Sequence, residues 1–114
     1  MPIIGVIASS KKGAPGIPTG VTATDVGTAR AFNNGAASVA FTPGAGATAT
    51  SFTVTSSPGG FTATGASSPL TVTGLQSSVS YTYTVTATNA AGTSAASAPS
   101  ASVTATTVPQ APTI

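Results

Sequence analysis

Residues 81–87 read Tyr81-Thr82-Tyr83-Thr84-Val85-Thr86-Ala87, with every odd position apolar or aromatic and every even position threonine. A period of two sends successive side chains to opposite faces of a strand, so one face of this stretch packs inward and the other presents hydroxyls. Threonine is β-branched, which suits a pleated strand, and it still offers a polar group to solvent. Shorter runs repeat the pattern: Val39-Ala40-Phe41-Thr42, Phe52-Thr53-Val54-Thr55, Leu70-Thr71-Val72-Thr73 and Val103-Thr104-Ala105-Thr106. Turn signals separate them at Asn33-Asn34-Gly35, Pro43-Gly44, Pro58-Gly59-Gly60, Gly74 and Ala91-Gly92. No long stretch carries the 3.6-residue period of a helix. The spacing predicts strands over 20–26, 36–42, 49–56, 60–65, 69–74, 79–89 and 101–107. Together they make an all-β fold, a seven-stranded antiparallel two-sheet sandwich.

Outside these runs the chain divides into three parts. Residues 1–17 are an apolar start and a Lys11-Lys12-Gly13-Ala14-Pro15-Gly16 hinge, 18–108 are the strand-rich domain, and 109–114 form a proline-punctuated tail. A chain of 114 residues is one domain with a core of modest size. No cysteine is present, so stability rests on packing rather than disulfides.

Composition excludes most chemistry. The formally charged side chains are Lys11, Lys12, Asp25 and Arg30, and there is no His, Cys or Trp. With one carboxylate and no imidazole or thiol, the sequence offers no acid/base pair, no catalytic cysteine and no usual metal-ligand set. The expectation is therefore no catalytic, cofactor-binding or metal-binding residues, and no enzyme. A net charge of +2 from three basic residues makes no phosphate-binding patch, so nucleic acid is not an expected partner. Charged residues are 4% of the chain against about 25% in an average soluble domain, and Ser, Thr and Ala stand in their place. Lysine commonly blunts exposed sheet edges, yet none follows Lys12. Such a surface is better tolerated in a subunit fixed in an assembly than in a free, concentrated protein.

The longest apolar cluster, Pro2-Ile3-Ile4-Gly5-Val6-Ile7-Ala8, is far shorter than the roughly 20 residues that span a bilayer. No basic residue precedes it, so it makes a poor signal peptide, and the expected site of synthesis is the cytoplasm of the producing cell. Burial of Ile3, Ile4, Val6 and Ile7 is worth about 1.5–3 kcal/mol each. Pairing as an added strand on a neighbouring sheet edge would supply that burial together with backbone bonds. These four residues are the candidate partner-anchoring set. The alternative is that they fold back on their own domain.

The pattern over about residues 15–108 resembles a fibronectin type III domain. Pro18-Thr19-Gly20-Val21-Thr22-Ala23 resembles the opening strand of that family. Leu75, Tyr81, Tyr83, Val85, Ala87, Asn89 and Gly92 match its most specific stretch. The resemblance implies that Tyr81 forms a tyrosine corner, its hydroxyl bonding back to the backbone where the chain crosses between sheets. It further implies a core of Phe41, Phe52, Val54, Leu75, Tyr81, Tyr83 and Val85. Phe41 stands where the family usually carries a tryptophan. Asn89 and Gly92 would shape the loop to the last strand, and Ser94 to Pro99 match the Ser/Pro-rich approach to it. The loop residues Asn89-Ala90-Ala91-Gly92-Thr93-Ser94 contain no Arg-Gly-Asp, so integrin-type adhesion has no support.

Such modules are mostly spacers, adhesion units and interaction platforms. Met1-Pro2-Ile3-Ile4-Gly5-Val6-Ile7-Ala8-Ser9-Ser10 resembles the starts of some tailed-phage structural proteins. The expectation that follows is a virion protein, a capsid decoration or short fibre unit present in many copies. Its partners would be other virion proteins, with weak contact to cell-surface glycans and none to membrane. The alternative is a spacer or carbohydrate-associated module of a secreted bacterial enzyme or adhesin, which Pro109-Gln110-Ala111-Pro112-Thr113 favours as an inter-module joint. Lys11 and Lys12 read as a solvated hinge pair, and Asp25 and Arg30 as a surface ion pair worth at most about 1 kcal/mol. Phe32 and Phe61 read as caps of the sandwich or exposed contacts.

Overall fold

A computed structural model describes residues 13–109. The strands are β1 (Thr19–Asp25), β2 (Gly35–Thr42), β3 (Ser51–Ser57), β4 (Thr62–Gly65), β5 (Leu70–Leu75), β6 (Ser80–Asn89), β7 (Gly92–Thr93) and β8 (Val103–Thr104). No helix occurs among the described residues. Two antiparallel sheets form, one of three strands in the order β1-β2-β5 and one of five, β4-β3-β6-β7 with β8 also on β6.

The alternation read from the sequence is realised residue by residue. Tyr81, Tyr83, Val85 and Ala87 of β6 are buried, and so are Phe52 and Val54 of β3, which lie opposite Ala87 and Val85. Ala37, Val39 and Phe41 of β2 with Val72 and Leu75 of β5 close the core from the other sheet. Phe41 and Phe52 meet at 4.8 Å between ring centroids, so two phenylalanines from opposite sheets fill the middle of the sandwich. Leu75 reaches the core through a bulge. From Val72, strict alternation would turn position 75 outward. An extra residue in β5 between Ala36↔Thr73 and Gly35↔Leu75 resets the parity. Gly74 supplies that residue with a φ of 81°, a backbone state that glycine adopts without steric cost.

The strand expected over 101–107 differs from the observed one. β7 and β8 are short ends of a single edge element, and residues 94–102 between them form no regular ladder. Ser94, Ser97 and Ser100 donate their N–H groups to the carbonyls of Ala87, Val85 and Tyr83 at 2.7, 2.9 and 2.9 Å. Three residues of the edge thus match two of β6, so each triplet carries one surplus residue, a run of successive bulges. The surplus residue carries the backbone carbonyl out of register, and the serine hydroxyl takes its place. The Oγ atoms of Ser94, Ser97 and Ser100 accept from the N–H groups of Ala87, Val85 and Tyr83 at 3.0, 2.9 and 3.1 Å. Each hydroxyl then donates to the carbonyl of the following residue, Ala95, Ala98 or Ala101.

Candidate functional site

The sandwich has two poles. The β2–β3, β4–β5 and β6–β7 loops meet residues 13–18 at one, here called the N-pole. The β1–β2, β3–β4 and β5–β6 loops meet the segment after β8 at the other, the C-pole.

Asn89, at the end of β6, organises the N-pole. Its Nδ2 donates to the carbonyls of Gly13 and Thr48 at 3.1 and 3.2 Å, and its Oδ1 accepts from the N–H groups of Ala91 and Gly92 at 2.8 and 3.2 Å. One amide therefore joins the incoming chain, the β2–β3 loop and the β6–β7 turn, with its full donor and acceptor capacity in use. Pro15 is buried in a parallel bridge to Ala47. Residues 13–17, assigned to the hinge by sequence, thus run against the domain. The approach is close enough to require glycine, since a Cβ on Gly16 would fall 1.7 Å from the Ala45 carbonyl oxygen. Beside this seam lies a cleft of about 330 Å³, walled by Pro15, Pro43, Ala47 and Ala49 and floored by Phe52. Its polar lining is Thr48, Ser67 and Ser68, and the Ser68 hydroxyl already accepts from the Phe41 N–H at 3.0 Å. The cleft is neutral throughout.

At the C-pole, the expected Asp25–Arg30 ion pair does not form. The Asp25 carboxylate accepts from the Gly27 N–H at 3.0 Å and from the N–H of Thr106 at 3.2 Å, and also binds the Thr106 hydroxyl. Arg30 Nε donates instead to the Asn34 carbonyl at 2.6 Å. Directed bonds to nearby backbone hold each charge, where a free surface pair would gain little. The lone acid is thereby a clasp between the end of β1 and the segment after β8.

The tyrosines are structural. The Tyr81 hydroxyl accepts from the Gln76 N–H at 3.0 Å, the corner geometry that the family resemblance implies. Phe61, half-buried, packs edge-on against Tyr81 at 6.0 Å between centroids, so it belongs to the core margin rather than to an exposed contact. Tyr83 is buried. Desolvation first, then the neighbouring Tyr81 and Asp25, push its phenol up to about 12, so it stays protonated at neutral pH and offers neither base nor nucleophile. Phe41, Phe52, Val54, Leu75 and Val85 complete the buried set named from sequence. Phe32 is exposed in the β1–β2 loop. Ile3, Ile4, Val6, Ile7, Lys11 and Lys12 lie outside the described residues. No grouping of metal-ligating side chains occurs among the described residues.

The outward face of the five-stranded sheet is hydroxylated from edge to edge. Thr53 lies opposite Thr64 on one side and Thr86 on the other, and Thr55 opposite Thr62 and Thr84. Thr53–Thr64, Thr88–Thr93 and Ser80–Thr104 bond hydroxyl to hydroxyl. This face carries no charge.

The fibronectin type III domain family model matches residues 16–103. Among solved structures, a multi-domain fragment of titin superposes with a TM-score of 0.67 at 21% identity, covering 82% of this chain and 33% of that one. Titin kinase with its flanking domains gives 0.66 at 23%, covering 82% and 17%. The FN1–FN3 domains of chicken CNTN1 give 0.65 at 22%, covering 82% and 33%. At such identities the likeness shows the fold alone, and the chain spans a third or less of each of these structures. No curated protein matches the sequence. The matched span runs from the N-pole seam through the tyrosine corner to β8, and it covers most of the chain: the protein belongs to the fibronectin type III domain family.

Proposed function

We propose that this protein is a non-enzymatic structural module of a tailed-phage virion, a capsid decoration or short fibre unit anchored through residues 2–8. The observation that carries the non-catalytic part of this reading is the occupation of its few reactive groups. Asp25, Arg30, Asn89 and Tyr81 each hold backbone together, and Tyr83 is sealed in the core. What the domain offers outward is neutral: a hydroxylated sheet face and an uncharged N-pole cleft. Such surfaces suit packing against neighbouring subunits. They also suit weak contact with cell-surface glycans, which many copies on one particle would convert into useful avidity. The phage assignment rests on the likeness of Met1–Ser10 to tailed-phage structural proteins and on the aliphatic character of Ile3, Ile4, Val6 and Ile7. The protein would then be made in the host cytoplasm and reside on the virion surface.

A second reading is favoured by Pro109 and Pro112 directly after the domain, and by the multi-domain character of the matching structures. In it the protein is a spacer or carbohydrate-associated module of a secreted bacterial enzyme or adhesin. One experiment separates the two. The only lysines are Lys11 and Lys12, so an amine-reactive cross-linker applied to the native source reports on the N-terminal segment. Links to a shell or tail subunit are the expected result. Links confined to this chain, or to a covalently continuous catalytic domain, would overturn the virion reading in favour of the spacer.

A further inference from the structure

Asn33-Asn34-Gly35 closes the β1–β2 loop at the C-pole and leads into β2. The chain has three asparagines, and the fold treats Asn34 differently from the other two. The Asn33 Oδ1 accepts from the Ser77 N–H at 2.9 Å, and the Asn89 amide is fully engaged at the N-pole. Asn34 is exposed, and among the described residues nothing bonds its side-chain amide. It is also the one asparagine followed by glycine, which has no Cβ to hinder approach to its own nitrogen. The Asn34 carboxamide is thus free to turn onto the Gly35 nitrogen, with water at hand.

The peptide between these two residues is polarised. Arg30 Nε donates to the Asn34 carbonyl at 2.6 Å, and that oxygen belongs to the same amide as the Gly35 nitrogen. When the Gly35 nitrogen gives up its proton, the negative charge spreads onto this oxygen. A guanidinium already bonded there stabilises the anion, as a fixed cationic donor does wherever charge develops on an oxygen. The loop holds Arg30 in place through its own backbone: the Asn34 N–H donates to the Ala31 carbonyl at 2.9 Å, and the Val108 N–H to the Arg30 carbonyl at 3.0 Å. Gly35 is the last rung between β2 and β5, set off from the others by the register shift between Gly35 and Ala36. The reacting peptide therefore stands at the end of the ladder and not within it.

We propose that Asn34 is a self-modification site, where the folded chain converts asparagine to aspartate or isoaspartate and Arg30 promotes the first step. The deprotonated Gly35 nitrogen attacks Asn34 Cγ. A new C–N bond forms, the Cγ–Nδ2 bond breaks, and Nδ2 takes up a proton and leaves as ammonia. The product is a cyclic imide. Water then adds to either imide carbonyl: attack at Cγ restores the ordinary backbone as aspartate, and attack at the backbone carbonyl carbon gives isoaspartate. The balance is water in and ammonia out, with no oxidant or reductant. Either product sets a carboxylate beside Arg30, and the added negative charge takes the formal net charge from +2 to +1. Isoaspartate also lengthens the main chain by a methylene at the entrance to β2. The C-pole thus acquires charge with age, whatever the N-terminal segment holds.

Peptide mapping by mass spectrometry tests this on the full chain, incubated in mildly alkaline buffer. The exchange of NH for O is followed at each asparagine, and chromatography separates aspartate from isoaspartate. Conversion is expected at Asn34 ahead of Asn33 and Asn89, at a rate that rises with hydroxide concentration. Arg30→Gln should slow it by about tenfold, and Arg30→Lys, which keeps the charge, should recover part of the rate. Thermal unfolding of both variants checks that the domain is intact. Urea removes the Arg30 contact, so the parent and Arg30→Gln should convert at one rate when unfolded. Conversion in urea but not in the folded chain would show that the Gly35 rung protects the peptide, and overturns the proposal. Equal folded rates for the parent and Arg30→Gln overturn it too, as does a difference between them that persists in urea, or a first conversion at Asn33 or Asn89.

Discussion

Replacing Ser97 with alanine should destabilise the domain far more than the loss of one hydroxyl suggests. The Val85 N–H points at the Ser97 Oγ at 2.9 Å, within a part of β6 where Val85 is fully buried. No backbone carbonyl stands in reserve, because the surplus residue in the Ser97-Ala98-Pro99 triplet has carried it out of register. Alanine therefore leaves a buried donor unsatisfied, at a cost of about 1–3 kcal/mol. In a domain of this size each kcal/mol lowers the Tm by about 4–8 °C. A central value of about 2 kcal/mol thus predicts a fall of about 8–16 °C. Ser100→Ala should behave alike, since it strips the buried Tyr83 N–H of its acceptor. Ser94→Ala, in a half-exposed rung, should cost about 1 kcal/mol or less. Ser102 is exposed and off the three-residue period, so Ser102→Ala should stay within about 0.5 kcal/mol of the parent. Urea and thermal unfolding give the energies, and amide exchange at Val85 gives the location. The reasoning fails if Ser97→Ala unfolds with the parent, or if Ser102→Ala costs as much.

Three further outcomes test other parts of the structure. Asn89→Asp puts one carboxylate oxygen where Nδ2 donates to both the Gly13 and Thr48 carbonyls, so it should cost about 2 kcal/mol and loosen both segments, visible as faster amide exchange in residues 13–16 and 47–50. Tyr81→Phe removes the acceptor for the Gln76 N–H and should cost about 1 kcal/mol by urea unfolding, with the core otherwise retained. The folded-state pKa of Tyr83 lies near 12, above the 10.0 of an unperturbed phenol. The folded chain therefore holds this proton more tightly than the unfolded one, and stability is fully present below pH 10. It should fall by about 3 kcal/mol in total as pH rises from 10 to 12, and Tyr83→Phe should flatten that part of the urea-midpoint profile.

The parts of the fold that alternate were legible in the sequence, and the parts held by single long-range bonds were not. Period two in residues 81–87 and in the runs at 39–42, 52–55 and 70–73 located β6, β2, β3 and β5 to within about two residues, because the same face must be buried along each. Of the last edge, β8 falls inside the strand expected over 101–107, but the stretch from Ser94 to Ser100 escaped because its repeat is three. Ser94-x-x-Ser97-x-x-Ser100 was the available signal, and the threonine pattern gives no reason to read serine as a carbonyl substitute. Asp25 and Arg30, five positions apart, suggested each other. What decides the Asp25 contacts is Thr106, eighty-one positions away, which no local pattern reveals. Asn89 was singled out for its loop. Its bonds to Gly13 and Thr48 depend on how two distant segments converge, and those contacts bind residues 13–17 into the domain.

The scarcity of charge, which from sequence suggested undefended sheet edges, has a structural answer. β1 carries an extra residue between Thr19↔Thr42 and Thr22↔Ala40, with Gly20 at a φ of 63°. β5 carries one at Gly74. β4 is four residues long, and the edge from β7 to β8 bulges once per triplet. Each outer strand is thus either interrupted or too short to template a regular ladder, and a bulge does this by twisting the edge and leaving its extra residue unpaired. This protection is built from backbone and uses no side-chain charge. The edge lysines of an ordinary domain are therefore dispensable, and the outward faces are free to remain neutral. Strand addition along the edges of the described domain is thereby discouraged, which leaves its faces and poles as the surfaces open to a neighbour.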